Sequence, residues 1–84
     1  MRFCVITFRS VMPAQRADAF LRRKGYACRI QRTPRWMEEQ GCGYCLRIPC
    51  GEVLDAARML RREELPFRKV YMITDGQKAQ QMQL

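Results

Sequence analysis

Apolar and polar positions follow two rhythms along the chain, and their order predicts the elements. Arg2 to Phe8, RFCVITF, is almost continuously apolar and rich in aromatic and β-branched residues, as a central strand is. Ser10 and Pro13 then supply helix-start signals. In the helix that follows, Ala14, Ala17, Phe20 and Leu21 share one face and Arg16, Asp18, Arg22 and Arg23 mostly point away. Basic residues crowd its last turn and Gly25 ends it. Tyr26 to Arg32 alternates, with Cys28 and Ile30 on one side and Arg29 and Gln31 on the other, which predicts a half-exposed strand. Thr33 to Gly41 opens with a proline, Pro34, and closes on a glycine, so it reads as a loop, with one helical turn at Trp36 to Gln40 and Trp36 anchoring it. Tyr44 to Ile48 is a third strand that turns Leu46 and Ile48 inward and Cys45 and Arg47 to the opposite face. A second helix runs from Glu52 to Glu64 with Val53, Leu54, Ala57 and Leu60 as its buried stripe, and Phe67 to Thr74 is the last strand.

The order β-α-β-β-α-β predicts an α+β, ferredoxin-like sandwich. Two right-handed crossovers lay both helices on one face of a four-stranded antiparallel sheet. Residues 1–74 read as a single ferredoxin-like domain, and the Gln-rich segment 75–84 reads as a polar, disordered tail.

Composition narrows the class. With 84 residues the chain holds one modest core and no large enclosed cavity. No apolar run approaches the roughly 20 residues of a membrane span, and the opening segment is too short and polar for a leader, so the expected setting is cytoplasmic, away from membranes. In that compartment thiols stay reduced, so five cysteines do not suggest a disulfide framework. Sixteen basic against eight acidic residues give a formal charge of +8, which attracts polyanions. The arginines are spread along the chain without a basic block or an aromatic-interleaved motif, which argues against specific nucleic-acid recognition.

The remaining question is what the run Gly41-Cys42-Gly43-Tyr44-Cys45 does. In the expected topology Cys42 lies at the end of the sheet where the first helix begins, whereas Cys28 and Cys50 lie at the other end. The chain from Cys45 to Cys50 covers about 16 Å at ~3.3 Å per residue. One zinc ion or cluster within a single chain therefore cannot easily gather these cysteines, and no histidine is present, so no metal or cofactor is expected. A site shared between two copies of the chain, and hence a homodimer, stays open. In disulfide oxidoreductases of the thioredoxin type C-x-x-C opens a helix, but here it leads into a strand. A thiol nucleophile remains: Cys42 stands uncrowded between two glycines, with Arg35 and Arg47 available to favour its thiolate. The plain alternative is a flexible turn with an incidental cysteine. Cys28 and Cys4 read as small core residues, and Cys50 as a residue at a helix start.

These residues resemble a known family, the small bacterial selenium/sulfur carrier-like proteins. The resemblance spans Phe3 to Tyr71 and rests on four features. They are ITFRS at Ile6 to Ser10 with the helix that follows, Thr33-Pro34-Arg35, Cys42-Gly43-Tyr44-Cys45-Leu46-Arg47-Ile48, and Val70-Tyr71. It implies a carrier or relay, rather than an independent enzyme, that holds sulfur or selenium as a cysteine-bound persulfide or selenosulfide. It maps the active thiol onto Cys42, in the Cys-Gly pair after Thr33-Pro34-Arg35. The residues themselves add Cys45 as a candidate second thiol, with Gly43, Pro34, Arg35 and Arg47 in support. The implied partners are a donor, such as a cysteine desulfurase or selenium-handling enzyme, and an acceptor protein. Gly41 stands where a small hydroxyl residue often occurs in the family, and Cys45 where an apolar one is common. Two other classes stay in view: a metal-binding, metallochaperone-like module using Cys42 and Cys45, and a basic RNA- or protein-binding module.

Overall fold

The computed structural model describes residues 2–33, 43–74 and 78–83. Along the chain run β1 (Phe3–Thr7), α1 (Val11–Arg23), β2 (Arg29–Arg32), β3 (Tyr44–Ile48), α2 (Val53–Arg62), β4 (Val70–Thr74) and β5 (Lys78–Gln81). The strands form one antiparallel sheet in the order β2-β3-β1-β4-β5.

Five strands stand where four were expected. The extra one lies inside the segment read as a polar tail. Lys78 to Gln81 pair with Thr74 to Tyr71, and the Met82 amide donates to the Val70 carbonyl at 2.8 Å. The residues of β5 are polar and carry no alternating stripe, so hydropathy gives no strand signal. Pairing along the open edge of β4 satisfies backbone groups whatever the side chains are.

The register divides the sheet into two faces. Cys4, Ile6, Leu46, Ile48 and Val70 are buried with Phe8, Cys28 and residues of both helices in the main core. α1 lies over β2 and β3, and α2 lies over β1. Val5, Cys45 and Ile73 form a second, smaller buried cluster with Phe3 and Tyr71 against it. In register these positions fall on the opposite face.

Within α1, Ala14, Ala17 and Leu21 are buried and Phe20 is half-buried. Ser10 is its N-cap in extended conformation, and no side-chain capping bond is made. Gly25, at φ +93°, takes the left-handed conformation that ends the helix. In α2 the buried stripe is Val53, Ala56, Ala57 and Leu60, while Leu54 is exposed. The stripe follows the i, i+3, i+4, i+7 rule, and Leu54 lies about 100° off it. A small residue, Ala56, takes the inward place and lets the helix lie close to the sheet.

Candidate functional site

Thr33 and Gly43 pin the two ends of the β2–β3 connection. The Thr33 amide donates to the Gly43 carbonyl at 2.6 Å, one step beyond the paired Arg32 and Tyr44. This closure lies at the end of the sheet where β1 leads into α1, since Thr7 stands opposite Cys45. Residues 34–42 between these ends lie outside the described residues, and with them Pro34, Arg35, Trp36 and Cys42.

Cys45 is on β3 between Thr7 and Gln31, fully buried and turned away from the helices. Arg47 follows on the same face, and its guanidinium lies 3.9 Å from the centroid of the Phe3 ring. That stack holds the charge toward the start of β1. The structure thus gives places to Gly43, Cys45 and Arg47 among the residues singled out in the sequence.

Thr33 is a residue the sequence marked only as part of Thr-Pro-Arg. Its side chain is buried, and its Oγ1 has no hydrogen-bond partner among the described residues. A buried hydroxyl left unpaired costs free energy, so natural folds rarely leave one without reason. Nothing in a single threonine codon announces burial. The available signal was its position at the last step of a strand, directly before a proline.

The other cysteines occupy the opposite end of the domain. Cys4, on β1, and Cys50, in the turn after β3, form a disulfide with Cα atoms 5.1 Å apart. This departs from the expectation of reduced thiols with Cys4 merely packed. The reading from compartment and cysteine count carries no information on proximity. Pairing of β1 with β3 sets Cys4 opposite Ile48 and brings the chain two residues later back over it. The Met82 sulfur lies 3.8 Å from the Cys4 sulfur. Cys28 is a buried free thiol, as its alternation with Ile30 indicated. Its Sγ donates to Asp18 Oδ1 at 3.6 Å, and Asp18 also pairs with Arg22 at 3.1 Å. Burial, and then the Asp18 carboxylate, push the Cys28 thiol from 9.0 up to about 11. Such a thiol is a poor nucleophile at neutral pH.

Among the described residues no group of three or more His, Cys, Asp or Glu is arranged to hold a metal ion, and no helix is long and apolar enough to cross a membrane.

An α+β domain with a pinned connection that carries one cysteine and leads to a second on the adjoining strand defines a small thiol-bearing protein. Residues 3–72 match the family described as "Putative Se/S carrier protein-like", and the chain belongs to that family. No curated protein and no solved structure matches it.

Proposed function

We propose that this chain carries zero-valent sulfur or selenium on the thiol of Cys42, taking it from a donor enzyme and handing it to an acceptor protein. The family match over residues 3–72 carries this reading. The closure between Thr33 and Gly43 supports it, because the chain segment holding Cys42 is fastened at its root to the rigid sheet. β1 to β4 with the two helices serve as a ferredoxin-like platform in a cytoplasmic setting, and β5 extends its edge.

In loading, the Cys42 thiolate attacks the terminal sulfur of a donor persulfide, R–S–S–H. The donor's S–S bond breaks, R–S⁻ departs, and Cys42 becomes Cys–S–S–H with no net oxidation. In discharge, a nucleophile on the acceptor attacks that terminal sulfur and Cys42 leaves as its thiolate. The burial of Cys45 favours this direct hand-over. Cys45 serves as the resolving thiol when no acceptor is bound: it attacks the Cys42 sulfur, releases HS⁻ and leaves a Cys42–Cys45 disulfide, which an external dithiol reduces with two electrons and two protons. Positive charge from Arg35 favours the thiolate and perthiolate forms, and Gly43 leaves the approach to Cys42 uncrowded. Arg47, expected to assist, is instead held against Phe3 toward the start of β1, away from this end. Pro34 stiffens the entry to the segment. The Thr33 hydroxyl is available to donate a hydrogen bond to an anionic sulfur or selenium brought to the root of the segment.

Incubating the protein with a cysteine desulfurase and cysteine tests the proposal through cyanide-labile sulfur. The wild type and Cys28→Ser should acquire the label and Cys42→Ser should not. Equal labelling of Cys42→Ser would overturn it.

A further inference from the structure

The end of the domain remote from the Thr33–Gly43 closure holds a groove that the carrier chemistry does not use. It lies where β1 begins, β3 finishes and α1 hands over to β2. Its volume is about 990 Å³, and it is bordered by Arg2, Arg22, Arg29 and Arg47. No acidic residue is among its described lining residues. The two carboxylates that approach its wall are both engaged: Asp18 with Arg22 and Cys28, and Glu52 with the Ala27 amide at 3.2 Å.

Its apolar lining residues include Tyr26, Ile30 and Pro49. The Arg47 guanidinium lies over the Phe3 ring, 3.9 Å from its centroid. A guanidinium stacked on a ring keeps its outer face for a second planar group and its edge N–H groups for anions. Four forked cations lining one groove beside apolar side chains suit a ligand with a flat body and several phosphate oxygens, because guanidinium groups pair bidentately with phosphate. The volume falls in the range of small-molecule sites.

We propose that this groove binds a nucleotide, its phosphates held by Arg2, Arg22 and Arg29 and its base stacked on the outer face of Arg47. The nucleotide is either free or the terminal unit of a strand. The proposal does not depend on Cys42 and stands apart from the carrier reading.

Titration of the full chain with ATP, followed by amide chemical shifts at low ionic strength, tests it. Binding should saturate, with shifts concentrated at Tyr26 to Ile30 and Arg47 to Pro49. Arg2 and Arg29 are exposed and can be replaced without opening the core. The pair Arg2→Ala with Arg29→Ala should weaken binding about tenfold or more. Arg58→Ala removes half that charge, from the exposed Arg58–Asp55 pair on α2, and should change binding by no more than about twofold. Thermal melting of each variant establishes that it is folded. A short single-stranded RNA separates the sources. Binding of both RNA and ATP, weakened together by the groove substitutions, supports a nucleotide supplied by a strand, and binding of ATP alone supports a free one. Three results overturn the proposal: no saturable ATP binding, equal weakening by Arg58→Ala, or a polyglutamate peptide that binds as tightly as ATP and loses binding with the same pair.

Discussion

Cys28 and Cys45 are both buried on strands or at their edge, yet their surroundings differ, and the difference is measurable. Cys28 faces Asp18 across 3.6 Å, and its thiol is held neutral up to about pH 11, from 9.0 when exposed. The unfolded chain therefore ionises at Cys28 before the folded one does. The stability this thiol contributes is fully present below pH 9 and is lost as pH rises toward 11. Replacing Cys28 with Ala should flatten that alkaline loss in urea unfolding followed across the same interval, and an unchanged slope would show that Cys28 does not titrate there. Thr33 makes the second case at this scale. Because its Oγ1 has no partner among the described residues, Thr33→Val removes a desolvation cost and keeps the shape. Unfolding should show stability unchanged or raised by about 1 kcal/mol. The same variant should load sulfur more slowly if the hydroxyl serves the cargo, which time-resolved labelling by the desulfurase measures.

Among the elements, the disulfide and β5 make the strongest statements about stability. The bond joins residues 46 apart, closing a loop whose unfolded entropy it removes. Reduction, or Cys50→Ser, should cost about 2–4 kcal/mol in denaturant unfolding, and an unchanged midpoint would show that the bond is not formed in solution. Deleting residues 78–84 uncovers the edge of β4 and removes Met82 from the Cys4 sulfur. The expected loss is about 1–2 kcal/mol, accompanied by self-association along the bare edge in light scattering. The first four strands and both helices were legible because each carries its own period: a continuous apolar run in β1, alternation in β2 and β3, a stripe with flanking stop signals in α1. β5 has no such pattern, since backbone pairing alone holds it. Leu54 was misplaced because a leucine next to Val53 looks apolar enough for the stripe, whereas helix geometry turns it outward and brings Ala56 in. The Cys4–Cys50 bond was hidden for another reason. It depends on β1 lying against β3, a contact between chain positions far apart, which no local pattern encodes.

The whole molecule sorts its chemistry to two ends of one sheet. The pinned β2–β3 connection lies at the end where β1 enters α1, and the disulfide, the Cys28–Asp18–Arg22 cluster and the arginine-lined groove lie at the other. In the sequence the arginines looked evenly scattered. Folding gathers Arg2, Arg22, Arg29 and Arg47, drawn from three elements and a terminus, around one cavity, so a charge of +8 acquires a location only in three dimensions. Cys42 was singled out by its glycine neighbours and by the ordered motifs of the selenium/sulfur carrier-like family, and it lies in the segment outside the described residues, so its role rests on the proposal and its test. The most direct measurement is therefore peptide mass spectrometry of the wild-type protein after incubation with a cysteine desulfurase and cysteine, with reductant withheld. The account predicts one added sulfur atom on the peptide containing Cys42, removed by a dithiol and absent from Cys42→Ser. An adduct that sits on Cys28, Cys45 or Cys50 instead, or that persists in Cys42→Ser, would contradict it.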